Sequence, residues 1–256
     1  MPKSIAYFDA RAERYHRRGG FAPERKEKAL QVTRDLLLAL TPPGSTLLQL
    51  GAGTGFFTEK LLQASHFREI HVTDGAQAML AIAQQTLASE DTILRFSLLD
   101  FATLWSGRFA GIGIDAVASS MAIHHAENKQ QLFRQVLAAL KPGGVLVFAD
   151  HVAGTSDCIQ HLIGRERALV RLGRDRNVAT EKILQVIRTD EKVQREEGNR
   201  CESVARNQDH LARNGSQDVD CLWRDYWPAV FVARKPACER DPASTVPWVP
   251  NVRTGR

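Results

Sequence analysis

Three glycines stand at alternate positions in the stretch LLQLGAGTGFF, which covers residues 47–57. Gly51, Ala52 and Gly53 put little or no side chain between the backbone and a ligand, and Gly55 lets the next helix pack closely. A dinucleotide-binding loop would have its third glycine at position 56, and a P-loop would end in Gly-Lys-Ser/Thr, but neither is present. The loop therefore lacks a clear cradle for a diphosphate.

Two carboxylates follow later apolar segments and suit a nucleoside. Asp74 stands 19 residues after Gly55, where a carboxylate can accept hydrogen bonds from both hydroxyl groups of a ribose. Asp100 and Phe101 place a hydrogen-bond acceptor beside an apolar wall, which suits the amino group and ring of an adenine. With the glycine loop, these residues predict a nucleoside-binding site.

Histidines are the candidate catalytic residues. His124 and His125 follow an apolar segment, and an imidazole that titrates near neutral pH can take a proton from an acceptor group. A hydrogen-bonded structural histidine is the alternative interpretation of each. Asp150 and His151 end a later apolar segment. Asp150 could orient a substrate amine or a histidine, but capping of the next segment is the favoured interpretation.

The elements that must position these residues alternate between helix and strand. Helical periodicity predicts helices over residues 24–40, 56–63, 76–89 and 128–140. Between them, short apolar runs predict strands over residues 46–50, 69–73, 92–98, 114–119 and 145–149. This alternation predicts an α/β fold with a doubly wound, mostly parallel sheet, in which ligands bind beyond the carboxyl ends of the strands.

The chain after residue 152 loses this alternation. We expect an N-terminal helical lid over residues 1–42, a core over 43–152, a charged helical cap over 153–215 and a flexible tail over 237–256. Between the cap and the tail, residues 216–236 predict an antiparallel edge hairpin with strands at 218–224 and 229–233. Trp223 and Trp227 are expected to pack within this hairpin.

Composition excludes several classes of protein. The net charge is +5, but the basic residues alternate with acidic ones, which disfavours nucleic acid as a partner. None of the four cysteines has the spacing of metal ligands, so we predict reduced thiols and no bound metal. The N-terminus lacks the apolar core of a signal peptide, and no run is long enough to span a membrane. These features predict a cytoplasmic monomer or homodimer.

Five motifs, in this order and spacing, resemble those of the class I S-adenosylmethionine-dependent methyltransferases. They are LLQLGAGTGFFTEKL, HVTDGAQAML, LLDFATL, the fourth-strand segment IDAVASSMAIHH and the turn LKPGG. The resemblance is strongest over residues 43–152, and VDCLWRDYWPAVFVARKP is similar to the last strands of a subset that acts mostly on small molecules. It implies a Rossmann-like methyltransferase fold of seven strands and S-adenosylmethionine as the cofactor.

The resemblance also implies roles for single residues. It places Asp74 at the ribose, Met79 near the adenine and Ser119 of the fourth-strand motif among the cofactor-binding residues. Gly75, also a cofactor-binding position, replaces a larger apolar residue and implies looser packing of the adenine. His124 matches the catalytic base of plant O-methyltransferases, although the aspartate and tryptophan that follow that base are missing here. An N-terminal lid over the cofactor would contribute the aromatic residues Tyr7, Phe8 and Tyr15.

The predicted function is therefore methyl transfer from S-adenosylmethionine to an O, N or C atom of a small metabolite, in secondary metabolism. Three alternatives stay open. The chain could be a tRNA-modifying transferase of the same fold, an enzyme that consumes S-adenosylmethionine itself by cyclisation or aminocarboxypropyl transfer, or a cofactor-binding protein without catalysis.

Overall fold

The computed structural model describes residues 2–17, 24–173 and 178–237. The predicted tail, apart from Ala237, lies outside the described residues. Seven strands are found in the described part of the chain: β1 Ser45–Leu50, β2 Phe67–Asp74, β3 Ile93–Leu98, β4 Ile114–Ser120, β5 Leu140–His151, β6 Gln217–Arg224 and β7 Pro228–Arg234. They form one sheet in the order β3-β2-β1-β4-β5-β7-β6.

The sheet has the predicted mixed topology. Strands β1 to β5 pair in parallel, and β7 pairs antiparallel with both β5 and β6. The predicted fold class, a doubly wound sheet with an antiparallel terminal hairpin, is confirmed. The hairpin forms one edge of the sheet, as predicted: β6 is the outer strand, and β7 lies between β5 and β6 and pairs along both of its sides.

The helices follow the predicted segments closely. The described helices are α1 Lys3–Asp9, α2 Ala12–Arg17, α3 Glu24–Leu40, α4 Phe56–Leu62, α5 Gln77–Thr86, α6 Lys129–Ala139, α7 Asp157–Arg171, α8 Thr180–Glu197 and α9 Val204–Arg213. The largest difference lies at β5, which begins at Leu140 directly after α6. The motif that was expected to form only a turn therefore forms the start of this strand, with Gly143 at a φ of 76°.

Apolar side chains on both faces of the sheet hold the fold together. All six residues of β1 are buried, as expected for a central parallel strand covered on both sides. Leu48 and Leu50 join the cluster that contains Phe133 and Phe148, whereas Leu47 joins the cluster on the opposite face with Leu30. Because the core covers both faces, the carboxyl edge of the parallel strands remains for a ligand site.

The charged stretch between β5 and β6 divides into two parts. Helices α7 and α8 contact each other, and α8 also contacts α1 at the N-terminus. Helix α9 contacts α6 and β6, so it covers the sheet. The segment predicted as a single cap thus contributes one pair of helices beside the N-terminal segment and one helix in the layer that flanks the sheet. None of the described helices has the length and apolar character required to cross a membrane.

Candidate active site

A cavity of about 530 Å³ opens at the carboxyl ends of the parallel strands. The loops after β1, β2 and β3 line one part of it, and the ends of β4 and β5 with the start of β7 line the other. Since β1 and β4 are neighbours, the cavity spans the point where the strand order reverses. Of the sequence-predicted site residues, those that line the cavity are Tyr15, Gly51, Ala52, Gly53, Asp74, Gly75, Met79, Asp100, Phe101, His124 and His125.

Close packing requires glycine at two positions of the loop after β1. Gly51 has a φ of 64°, and a Cβ at this position would overlap the Cβ of Ala122, so a larger residue does not fit. Gly55 lies outside the cavity lining. A Cβ at Gly55 would lie 2.7 Å from Leu87 Cδ1, so this glycine allows the start of α4 to pack closely, as its spacing predicted.

The carboxylate of Asp74 fixes the shape of this loop. Oδ2 accepts a hydrogen bond of 2.7 Å from the backbone N–H of Gly53, and Oδ1 accepts one of 2.8 Å from that of Ala76. Burial raises the pKa of Asp74 above its ordinary value, although these backbone hydrogen bonds act to lower it. Each carboxylate oxygen has a second lone pair, so Asp74 can hold the loop and still accept hydroxyl groups of a ligand.

The walls expected for an adenine lie beside Asp74. Met79 of α5 is buried, and Phe101 packs against the apolar core next to the glycine loop. At Asp100, Oδ1 accepts a hydrogen bond of 2.9 Å from the backbone N–H of Ala102. The space left by Gly75 is filled, because Cδ1 of Ile5 lies 2.8 Å from the position that a Cβ would take. Ile5 thus replaces the side chain that Gly75 lacks.

The N-terminal segment covers the cavity. The ring of Phe8 meets that of His125 edge-on, with centroids 5.1 Å apart, and Asp9 accepts a hydrogen bond of 2.7 Å from the backbone N–H of Ala78 in the first turn of α5. Tyr15 lines the cavity, whereas Tyr7 does not. Instead, the ring of Tyr7 packs against Phe8, and the guanidinium carbon of Arg11 lies 4.0 Å from the centre of the Tyr7 ring.

The end of β4 differs from its predicted role. Ser119 is fully buried and lies outside the cavity lining, because its hydroxyl donates a hydrogen bond of 2.9 Å to the carbonyl of Leu50 and ties β4 to β1. The next residues, Ser120 and Met121, line the cavity instead. Met121 has a φ of 55°, a conformation that costs free energy for a side chain of this size and is typical of functional sites. The sequence contains no signal for this strained turn.

A buried histidine and a buried carboxylate meet in the cavity wall. Nδ1 of His124 lies 2.5 Å from Oδ1 of Asp150, and both residues are at most 3% exposed. The interpretation of Asp150 as a helix cap is wrong, and the alternative that it orients a histidine is correct. A carboxylate accepts, so Nδ1 carries the proton, and Nε2 has no hydrogen-bond partner among the described residues.

The neighbouring histidines are held in the neutral form. The ring of His151 stacks on that of His124 with centroids 4.9 Å apart, and the ring of His125 lies 4.1 Å from it on a tilted plane. Burial sets the pKa of His125 and of His151 well below the ordinary value, and a proton on the adjacent His124 would lower both further. Nδ1 of His125 is buried and has no hydrogen-bond partner in the described part of the chain.

Several residues that line the cavity were not predicted. Trp227, which we expected to pack within the hairpin, is one of them. Helices α7 and α8 contribute a row of residues at the spacing of one helix face: Arg167, Val170, Arg171, Asp190, Val193, Gln194 and Glu197. This spacing was the available signal, but charged residues at helical spacing are also typical of a solvated surface. Within the described ranges, no three histidine, cysteine or acidic side chains are grouped as metal ligands.

Comparison with known proteins gives the class of the domain. Residues 48–146 match the family model of the methyltransferase domain. A biotin biosynthesis bifunctional protein, BioHC of Teredinibacter turnerae, is 38% identical over 110 residues, which are 40% of this chain and 18% of that protein. The trans-aconitate 2-methyltransferase of Variovorax paradoxus is 33% identical over 105 residues, which are 41% of this chain and 38% of that protein. The chain thus spans less than half the length of either relative.

A solved structure extends the likeness to most of the chain. It contains a methyltransferase in complex with the Haloferax volcanii Trm112 methyltransferase activator, and it superposes with a TM-score of 0.63 at 17% identity, covering 90% of this chain and 97% of that one. At this identity the likeness concerns the fold alone. With the matched domain, it confirms the resemblance found in the motifs: the chain carries a class I S-adenosylmethionine-dependent methyltransferase domain.

Because the folded state keeps His151 neutral, we expect the unfolding free energy to fall as the pH is lowered. In the unfolded chain its imidazole takes up a proton near the ordinary pKa of about 6.5, whereas the folded state keeps it neutral. The unfolded state therefore binds more protons below that pKa, and the unfolding free energy falls by about 1.4 kcal/mol between pH 7.5 and 5.5 for one such histidine. Urea unfolding of His151→Gln should show a loss that is smaller by this amount. His161→Gln, at an exposed position on α7, is the control and should lose as much unfolding free energy between pH 7.5 and 5.5 as the wild type does. The same loss in His151→Gln would show that His151 is not held neutral in the folded state.

Proposed function

We propose that the protein transfers a methyl group from S-adenosylmethionine to a small-molecule acceptor in this cavity. The observation that carries the proposal is the buried pair of His124 and Asp150, because His124 lines the same cavity as the glycine loop and Asp74. His124 and Asp150 have the geometry of an oriented proton acceptor. The glycine loop and Asp74 have the chemistry of a nucleoside site.

The residues at the ends of β1, β2 and β3 fit the cofactor. The backbone of Gly53 is open, because no atom lies within 4 Å of the position that a Cβ would take there, and Asp74 has lone pairs for two ribose hydroxyls. Met79 and Phe101 provide apolar contact for an adenine ring. When bound, S-adenosylmethionine supplies an electrophilic methyl group on its sulfonium.

The covering of the cavity favours a small acceptor. Residues of α1, α2, α7 and α8 line the cavity as well as the strand ends, so the acceptor must fit beneath these helices. The name of the trans-aconitate 2-methyltransferase, which is similar to this chain, also denotes a small acceptor. We therefore propose a small metabolite in preference to a tRNA.

His124, oriented by Asp150, removes the proton of the acceptor hydroxyl. The carboxylate accepts the proton on Nδ1 and fixes the tautomer, so Nε2 has a lone pair available for the proton of an acceptor hydroxyl. As that proton arrives, the imidazole becomes positively charged, and the carboxylate 2.5 Å away stabilises it. The neutral His125 and His151 surround the ring without a competing charge.

Loss of the Asp74 carboxylate is expected to weaken cofactor binding. Asp74→Ala removes the ribose acceptors and also releases the backbone of Gly53, so the affinity for S-adenosylhomocysteine should fall by about 1.5–3 kcal/mol. Isothermal titration calorimetry measures this difference. Asp91→Ala, at an exposed aspartate, is the control and should bind like the wild type. Equal affinities in all three proteins would remove Asp74 from the cofactor site.

Loss of the base is expected to slow turnover while the cofactor still binds. With a hydroxyl acceptor, His124→Asn should lower the rate of a single turnover by about 10²–10⁴, and Asp150→Asn by at least about tenfold because the amide no longer fixes the tautomer. Transfer of a labelled methyl group to a pool of small hydroxyl compounds identifies the acceptor and gives the rate. His125→Asn should have a smaller effect, and the exposed His161→Asn none. A wild-type rate for His124→Asn would refute its role as a base.

A further inference from the structure

Two arginines meet the same indole ring but differ in their partners. The guanidinium carbons of Arg25 and Arg167 lie 5.1 Å and 5.2 Å from the centre of the Trp227 ring. Arg25 donates hydrogen bonds of 2.6 Å to Asp225 and 2.8 Å to Glu166, so its charge is balanced by two carboxylates. Arg25 therefore has the environment expected of a structural arginine.

Arg167 makes no hydrogen bond to any residue that the structure describes. Its nearest carboxylate oxygen, Oδ2 of Asp190, is 3.7 Å from Nη1, beyond hydrogen-bonding distance, and its Nε is buried without a partner. Asp190 is already occupied, because Arg171 donates to Oδ1 and Gln194 donates to Oδ2 at 3.0 Å. Only 12% of the Arg167 side chain is exposed, and a buried guanidinium without hydrogen bonds is costly.

This guanidinium lines the same cavity as the proposed base. Arg167, His124 and His151 all line the cavity. Burial lowers the pKa of His151, and the positive charge of Arg167 contributes to this shift, so Arg167 acts on the ring that stacks on the proposed base. Arg167 is therefore placed to contact the acceptor that His124 deprotonates.

We infer that the acceptor carries an oxyanion, a carboxylate or a phosphate, that Arg167 binds while His124 faces the group to be methylated. The inference deepens the proposed function and rests on it. The planar guanidinium, held on the indole of Trp227, presents N–H groups in the fork geometry that matches two oxygens of such an anion. A neutral analogue would leave the N–H groups of this guanidinium without hydrogen-bond acceptors and would be rejected.

The test uses the whole protein, loaded with S-adenosylhomocysteine and titrated separately with inorganic phosphate and with succinate in a calorimeter. We expect at least one of the two anions to bind, and the anion that binds identifies the group as phosphate or carboxylate. Arg167→Met should weaken that binding at least about tenfold, and Arg167→Lys about threefold or more, because lysine keeps the charge but loses the fork. Arg165→Met, at an exposed position on the same helix, removes an equal charge and should stay within about twofold of the wild type.

Two results would overturn the inference: neither anion binds to the wild type, or Arg167→Met binds the anion as tightly as the wild type does. Should Arg167→Met fail to fold, as measured by thermal unfolding, Arg167→Lys decides in its place. Failure of S-adenosylhomocysteine to bind any of the proteins would contradict the proposed function instead. The anion titration of the unloaded proteins then still tests Arg167, since its comparison with Arg165 does not involve the cofactor.

Discussion

The hydrogen bond between the buried carboxylate of Asp150 and Nδ1 of His124 is the interaction on which the site depends. It exists because β4 and β5 pair in parallel, with Ser120 opposite Ala149, so that the carboxyl ends of both strands stop at the same edge of the sheet. Neither group could be buried alone at low cost, because an isolated carboxylate and an unpaired imidazole both lose their hydration. The register of one strand pair therefore fixes the position, the tautomer and the available nitrogen of the proposed base.

A second carboxylate organises the other half of the cavity in the same way. Asp74 ends β2 and accepts hydrogen bonds from the backbone of Gly53 and of Ala76, so one side chain shapes the loop after β1 and the turn into α5. The N-terminal segment adds Ile5 above Gly75 and Asp9 at the first turn of α5. The covering segment is thus joined to the side of the cavity that fits the cofactor, whereas α7 and α8 bring Arg167 to the side with the histidines.

Local patterns in the sequence were sufficient for the fold and for part of the site. Apolar runs and the glycines between them predicted the strands and loops. The glycine loop and Asp74 were predicted as site residues because they come directly after β1 and at the end of β2. The partner of His124 could not be predicted with equal ease, since Asp150 is 26 residues away and meets it only through strand pairing. Arg167 and Trp227 were missed for a related reason: a charged helix face and a hairpin tryptophan become site residues only when tertiary structure brings them together. The strained backbone of Met121 likewise has no local signal, because its cost is compensated by surrounding contacts.

We propose that one cavity holds the cofactor on the side of Asp74 and the acceptor on the side of His124. A crystal structure of the complex with S-adenosylhomocysteine tests this claim most directly. We expect the ribose hydroxyls to donate to the Asp74 carboxylate and the sulfur to point into the space bounded by His124 and Arg167. A ligand bound outside this cavity, or one whose sulfur points away from His124, would contradict it.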